Sequence, residues 1–303
     1  MSERRALGDR GRSNAGSSHG RRATAVWDED QAALRFAAGR DAALCTIVGI
    51  DGSFSRRLGA QLAATTDGKT AGSLSDGCLE NELANQAQLA AVEGRPRMLR
   101  YGQGSPFIDF RLPCGSGLDI LVDPRPDKGT MRRAVGNLDA RAPATLPLPV
   151  ERPDLLAERS YLPSLRLLAL GAGPEAESLA RLAGSYGVEI VRADPRRGLS
   201  PGRAPTHLAA DQWTAIVLLF HDHEWEAPLL DWALTTPAFY IGALGGAMAR
   251  ENRRNHLVTR GHRPEAIAQV RSPIGLIEHT RDAGTLALSV LADVVDSYEA
   301  LRG

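Results

Sequence analysis

The sequence predicts an α/β protein in which a mixed α+β unit precedes a doubly wound parallel sheet. Apolar, β-branched runs alternate with helical repeats in the second half, and a glycine turn at 171–173 joins a strand to a helix. Prolines crowd the stretch between the two halves and disfavour a continuous element there. We therefore expect a first domain at 26–125, a linker at 126–163 with one helix near 128–137, and a second domain at 164–303.

Composition limits the classes of function open to the chain. Its 303 residues carry 36 basic and 36 acidic side chains, and this zero net charge argues against nucleic-acid or anionic-membrane binding. No apolar run approaches the ~20 residues of a membrane-spanning helix. The cysteines, Cys45, Cys78 and Cys114, lie far apart without metal-ligand spacing. We expect a reducing, cytoplasmic environment and no metal site.

The residues at 1–25 are rich in Arg, Gly and Ser and lack an apolar segment. A secretory signal needs such a segment, so we expect a disordered tail instead.

The first domain is predicted to begin with a helix over 29–40. Cys45 lies inside the apolar run "AALCTIVGI", where a free thiol behaves as a small core side chain. The predicted strands of this domain are 42–50, 61–66, 97–102 and 117–123.

Cys78 stands where the loop "GSLSDG" becomes a helical repeat. Ser75 or Asp76 is placed to cap that helix, so we expect Cys78 in its first turn. The backbone N–H groups of a first turn favour a thiolate, whereas Asp76 and Glu80 oppose it by raising the thiol pKa.

Cys114 lies on the turn "LPCGSG", between a proline and two glycines. Together with Cys78 it gives two loop thiols that one ligand could engage; the alternative is a tight turn with an incidental cysteine. Arg56 and Arg57, in a Gly/Ser loop, are candidates for phosphate binding or for simple surface solvation.

The second domain opens with a strand at 165–170, a helix at 174–185 and a strand at 188–193. Gly171 and Gly173 fit the G-x-G-x-x-[GA] turn of a Rossmann-like fold, and Asp194 follows where such a fold offers a carboxylate to a ribose. The alternative is a βα turn that holds no dinucleotide. The remaining predicted elements are a strand at 215–220, a helix at 226–235, a strand at 238–244, a charged helix to about 261 and a helix at 284–300.

The segment "HDHE" follows the predicted strand at 215–220. His221 and His223 suit ligand binding or proton exchange near neutral pH. The alternative is a polar loop that caps the next helix.

Eight short motifs occur along the chain in a fixed order. They are "GSFSRRLGA" (52–60), "GSLSDGCLE" (72–80), "PCGS" (113–116), "GAG" (171–173), "DPR" (194–196), "HD" (221–222), "YIGALGG" (240–246) and "PIGL" (273–276). In these motifs and in their order the chain resembles, over roughly 42–295, the XdhC/CoxI family, the accessory proteins that mature xanthine dehydrogenase and related molybdenum hydroxylases.

The resemblance implies an XdhC-like first domain, a Rossmann-like second domain and a carrier rather than a catalyst. Its cargo would be the molybdenum cofactor, sulfurated by a cysteine desulfurase and passed to a molybdenum hydroxylase apoenzyme. A homodimer is expected, and binding of a nucleotide at the Rossmann-like turn is left open. The residues that the resemblance and the motifs assign to binding are Cys78, Cys114, Arg56, Ser75, Gly77, Gly115, Gly171, Gly173, Asp194 and His221.

The chain departs from the family pattern at four motif positions, which are Ser55, Asp76, Ser116 and Gly246. The aspartate beside Cys78 makes a less acidic thiol, so the affinity for the ligand would differ from that of typical members.

Two other classes of function remain open from the residues. The glycine turn and Asp194 would suit an NAD(P)-dependent oxidoreductase, although no Lys, Tyr or His arrangement for hydride transfer emerges. Cys78 would suit a sulfurtransferase that carries a persulfide and acts on the cofactor.

Overall fold

A computed structural model describes residues 29–74, 77–105, 115–220 and 222–302. Within these ranges the strands form two five-stranded sheets and one two-stranded hairpin. None of the described helices combines the length and the apolar character that crossing a bilayer requires.

The first sheet is antiparallel, with the order β3-β2-β1-β5-β4. Its central strand β1 is buried over its first eight residues, because layers cover both faces of the sheet. The predicted strands of this domain are confirmed to within one residue at their ends. The strands are β1 (Ala42–Asp51), β2 (Gln61–Thr65), β3 (Thr70–Gly72), β4 (Arg97–Gly102) and β5 (Gly117–Asp123).

Helices cover the first sheet on both faces: α1 (Glu29–Gly39) and α3 (Lys128–Asp139) on one, and α2 (Gly77–Glu93) on the other. Alternation along β1 supplies both cores, since successive side chains of a strand point to opposite faces. Leu44 packs towards α1 and α3, and Cys45 packs towards α2.

The segment predicted as a linker contributes to the first core. It contains α3, which confirms the predicted helix, and a hairpin of β6 (Ala144–Pro147) and β7 (Glu158–Tyr161). Leu146 and Leu155 are buried in the core beneath α1 and α3. Division of the chain into domains at 125 and 163 stays a prediction.

The second sheet is parallel throughout, with the order β12-β11-β10-β8-β9, so the doubly wound prediction is confirmed. The order in which successive strands are added reverses at β8: β9 lies on one side of it, and β10, β11 and β12 follow on the other. The point between β8 and β10 where this order reverses is where open α/β sheets bind ligands. The strands are β8 (Arg166–Leu170), β9 (Glu189–Ala193), β10 (Thr214–Leu218), β11 (Tyr240–Ala243) and β12 (Val270–Arg271).

Helices pack on both faces of this sheet. The core under α4 and α8 takes Leu167 and Ala169 of β8, and the core under α5 and α6 takes Leu168 and Leu170. The helices are α4 (Pro174–Tyr186), α5 (His223–Ala233), α6 (Ala247–Thr259), α7 (Pro264–Ala268) and α8 (Ala283–Glu299).

A bidentate arginine joins the first half of the chain to the amino ends of the second sheet. The guanidinium of Arg141 donates from Nε and Nη2 to the two carboxylate oxygens of Asp211, at 2.7 and 3.0 Å, and from Nη1 to the carbonyl of Ser164. Asp211 also accepts from the Thr214 hydroxyl at the start of β10. The two halves therefore contact each other at the edge where the parallel strands begin.

Lowering the pH should weaken the contact between Arg141 and Asp211. Burial raises the pKa of Asp211, but hydrogen bonds from Arg141, Thr214 and the Trp213 backbone outweigh it and lower that pKa to about 2. Asp211 therefore stabilises the fold above about pH 4, and the effect disappears as the pH falls to about 2. We expect Asp211→Asn to cost about 1.5–3 kcal/mol of unfolding free energy at pH 7. This cost should stay constant down to about pH 4 and shrink as the pH falls towards 2, as measured by urea denaturation.

The exposed Asp296→Asn is the matched control and should leave the free energy of unfolding nearly unchanged. A cost for Asp211→Asn that stays constant from pH 7 to pH 2 would contradict the ion-pair account.

A buried hydrogen-bond chain fixes the hairpin to the first sheet. The Tyr161 hydroxyl donates to Gln61 Oε1 at 2.5 Å, and Gln61 Nε2 donates to Thr46 Oγ1 at 3.0 Å. All three side chains are buried. Removal of one partner would leave a buried polar group unsatisfied.

We expect Tyr161→Phe to lower the free energy of unfolding by about 1–3 kcal/mol, measured by urea denaturation at pH 7. Tyr186→Phe is the control, because that side chain is half-exposed and water reaches it. Equal stability of both variants would show that the hydrogen bonds of Tyr161, Gln61 and Thr46 contribute nothing to the free energy of unfolding.

Candidate functional site

Three motif loops leave the same edge of the first sheet. The pairing of Asp51 with Gly117 places the end of β1 beside the start of β5, and the pairing of Leu62 with Gly72 places the start of β2 beside the end of β3. The described parts of the three motif loops, at 52–60, 72–74 and 115–116, begin or end at these points. Sequence order separates them widely, and the strand register brings them to one edge.

A chain of hydrogen bonds joins the first loop to the second. Arg56 Nη2 donates to Ser73 Oγ at 3.1 Å, and the Ser73 hydroxyl donates to Glu80 Oε1 at 2.8 Å. The same Glu80 oxygen accepts from the Leu74 N–H at 3.2 Å. Arg56, predicted as an anion ligand, is thus held beside the start of α2.

Backbone packing joins the first loop to the third. A Cβ on Gly52 would lie 3.7 Å from both Cα and Cβ of Ser116, and Gly52 has a positive φ of 80°. Ser116 is buried, and its carbonyl accepts from the Gln103 N–H at 3.0 Å. Gly115 is exposed with a φ of 68°, and a Cβ there would meet no atom of the described residues within 4 Å.

Cys78 is the second residue of α2, so its predicted place in the first helical turn is confirmed. Gly77 begins the helix. The N–H groups of a first helical turn favour an anionic sulfur. Glu80, in the same turn, places a negative charge nearby. The Cys78 side chain, Ser75 and Asp76 lie outside the described residues, and so does Cys114.

Glycine lets the second-domain turn approach a neighbouring strand. Gly171 has a φ of 150°, and a Cβ there would lie 2.8 Å from the Leu219 carbonyl oxygen. Gly173 caps α4 with a φ of 107°, and Pro174 opens the helix where its missing N–H costs nothing. The carboxylate of Glu175 lies close by: its Oε2 would be 3.3 Å from a Cβ on Gly173. That negative charge faces the place where a phosphate would bind.

Asp194 is engaged by its own chain. It is 5% exposed; its Oδ1 accepts from the Arg196 N–H at 2.8 Å, and its Oδ2 is paired with Arg197. These contacts cap a short 3₁₀ helix (Pro195–Arg197) and favour the interpretation without a dinucleotide. A ribose-binding role for Asp194 stays a prediction.

The histidine motif gives a helix cap. Asp222 accepts from the Glu224 N–H at 2.9 Å and caps α5, in agreement with the capping alternative. His221 and the His223 side chain lie outside the described residues.

The motif loops and the glycine turn contact different edges of the second sheet. Arg57 pairs with Glu299 at 3.2 Å, and the adjacent Tyr298 hydroxyl donates to the Pro163 carbonyl just before β8. This is the edge where the strands begin. Gly171 follows β8 at the other edge, about 16 Å away at 3.3 Å for each of five residues. The described contacts thus do not bring Arg56 and Gly171 together, and a cavity shared by both stays a prediction.

Ser73 and Ser116 are not among the site residues that the sequence predicts. Both lie in the quoted motifs, but a serine in a Gly/Ser loop carries little signal by itself. Only the strand register shows that one contacts Arg56 and the other packs on Gly52.

Two family models match the chain. The model described as "XdhC and CoxI family" matches residues 36–102, and the model described as "XdhC Rossmann domain" matches residues 167–294. The chain belongs to the XdhC and CoxI family, as its motifs predicted.

Two curated relatives span nearly the whole chain. The molybdenum cofactor insertion chaperone PaoD of Escherichia coli K12 is 34% identical over 286 residues, with 88% of each chain covered. A probable xanthine dehydrogenase subunit of Bacillus subtilis 168 is 22% identical over 315 residues, covering 85% of this chain and 93% of that protein.

A solved structure described as a xanthine dehydrogenase from Bacillus halodurans shares the fold. Its TM-score is 0.68 at 21% identity, with 90% of this chain and 96% of that chain covered.

Cys45 should be chemically inert in the folded protein. It is 0% exposed, and burial raises the pKa of its thiol to about 12. Alkylation requires an accessible thiolate. We expect iodoacetamide at pH 8 to label Cys45 only after unfolding in urea, as read by peptide mass spectrometry. Labelling of Cys45 in the native protein at the rate found in urea would contradict this assignment.

Proposed function

We propose that this protein binds the molybdenum cofactor and inserts it into the apoenzyme of a molybdenum hydroxylase of the xanthine dehydrogenase type. The observation that carries the proposal is that the described parts of three motif loops lie at one edge of the first sheet. Two of these three motifs contain Cys78 and Cys114. The name of the Escherichia coli relative, a molybdenum cofactor insertion chaperone, agrees with it.

The groups at this edge fit such a cargo. The molybdenum cofactor offers a soft metal–sulfur centre, an organic ring system and a phosphate. Thiolates suit a soft centre, and the Arg56 guanidinium suits a phosphate. Ser73 holds that guanidinium at 3.1 Å, which reduces the entropy lost when a ligand binds. Gly52 and Gly115 have no side chain, so a ligand can approach the backbone at these two positions.

The finer steps rest on the family resemblance. We propose that the bound cofactor receives its sulfido ligand from a cysteine desulfurase and that the carrier acts in the cytoplasm as a homodimer. We assign Cys78 and Cys114 to binding at the metal or dithiolene end, and no chemical step to either thiol. The contacts of Asp194 with Arg196 and Arg197 lend little support to a nicotinamide-dependent oxidoreductase.

The proposal predicts that the full chain, purified without oxygen from cells that make the cofactor, contains stoichiometric molybdenum and pterin. Cys78→Ala and Cys114→Ala should each lower that content at least about tenfold, the factor that 1.4 kcal/mol of binding energy supplies. Molybdenum is measured by mass spectrometry and pterin by fluorescence after oxidation.

Cys45→Ala is the matched control, because it removes a thiol from the core while leaving the motif loops intact. It should keep the wild-type content. Wild-type protein without pterin, or variants of Cys78 and Cys114 that retain it in full, would overturn the proposal.

A further inference from the structure

A groove of about 710 Å³ lies between α6, α7 and the segment that follows β12. This volume is in the range of sites that bind drug-sized molecules. We infer that the groove binds a phosphorylated small molecule of nucleotide size. The inference goes beyond the proposed function, because it concerns residues of the second domain that have no part in the motif-loop site.

A clamped loop forms one wall of the groove. Gly275 and Leu276, from "PIGL", line it. The Gly275 N–H donates to Asp293 Oδ2 at 3.2 Å, and the Ile277 N–H donates to Ser289 Oγ at 2.7 Å. Gly275 has a φ of 91°, and a Cβ there would lie 2.4 Å from Ser289 Oγ. Only glycine lets this loop press against α8, so the wall is formed before any ligand arrives.

A buried arginine holds the other wall in place. Arg253 on α6 is 4% exposed and donates from Nε to Glu226 of α5 at 2.6 Å, from Nη1 to Ser272 Oγ at 2.6 Å and from Nη2 to the Leu244 carbonyl at 2.8 Å. It thereby ties α6 to α5, to the end of β11 and to the loop after β12. Its donors are used within the protein, and we assign it no contact with a ligand.

Three further arginines of the lining keep donors for a ligand. The Arg250 side chain makes no hydrogen bond or ion pair with any described residue. Arg254 lies 3.7 Å from Glu251, and both side chains are more than half exposed, so water competes strongly with that pair. Arg271 donates from Nη1 to Asp293 at 2.5 Å and is half exposed, which leaves its Nε and Nη2 for a ligand.

The charges select the class of ligand. The carboxylate of the lining, Asp293, is buried and already accepts from Arg271, Gly275 and the Tyr240 hydroxyl. Three available guanidinium groups favour an anion with more than one negative charge, and their forked donors match phosphate oxygens. A single carboxylate would leave most of that charge unneutralised.

The remaining lining favours an organic group beside the phosphate. Leu257, Val258 and Ile267 give the groove an apolar wall. Sites for small molecules combine such apolar walls with a few placed polar groups. A phosphorylated compound with a flat or apolar body satisfies both parts of the groove.

The test is calorimetric titration of the full chain with ADP, AMP and inorganic pyrophosphate. We expect ADP to bind, and Arg250→Ala and Arg254→Ala each to weaken it about tenfold to a hundredfold, as expected for a hydrogen bond between charged groups. Arg263→Ala is the matched control: it removes the same charge from an exposed position beside α7 that does not line the groove. All three substitutions lie on the surface, so thermal melts should match the wild type.

Four outcomes would overturn the inference. The wild type does not bind any of the three probes; Arg250→Ala and Arg254→Ala bind ADP as tightly as the wild type, which would locate binding elsewhere, for example at the glycine turn; or Arg263→Ala weakens binding equally, which would indicate general electrostatic attraction. Arginine-dependent binding of poly-glutamate with no binding of ADP would show a docking surface for an acidic protein instead. None of these results depends on whether the chain carries molybdopterin.

Discussion

The central strand β1 is the constraint on which the first half of the molecule depends. It pairs with β2 on one side and with β5 on the other, and its side chains supply the cores on both faces of the sheet. A slip of one residue would exchange those faces and separate Gly52 from Ser116. The close approach of the motif loops is therefore a property of the strand register rather than of the loops themselves.

The second half depends on polar contacts buried at its outer strands. Asp293 links α8 to β11, to β12 and to the loop of Gly275, and Arg253 links α6 to α5 and to β11. Loss of one partner from such a cluster leaves a buried charge without compensation, which is far more costly than loss of a surface pair. These contacts give the groove walls a fixed shape, although neither Asp293 nor Arg253 needs to touch a ligand.

Much of the fold could be predicted from periodicity, because long apolar strands and helical repeats carry strong signals. The run at 42–50 matches β1, and the loop-to-helix transition placed Cys78 correctly in the first turn of α2. The hairpin of β6 and β7 escaped prediction because its four-residue strands lie among prolines. Asp194 stayed ambiguous, since a sequence does not show whether Arg197 folds back onto it. The contact between Arg56 and Ser73 joins positions 17 residues apart, which only the register specifies.

Helix α8 contacts both the first motif loop and the groove between α6 and α7. Its last residue, Glu299, pairs with Arg57 of the first motif loop. Ser289 and Asp293 hold the loop that forms one wall of the groove. Ten residues separate Ser289 from Glu299, a rise of about 15 Å along the helix axis. A straight, packed helix is stiff over that length, so it works as a spacer of fixed length between the two places. One compact molecule would not reach from one end to the other, and each end is free to take its own occupant.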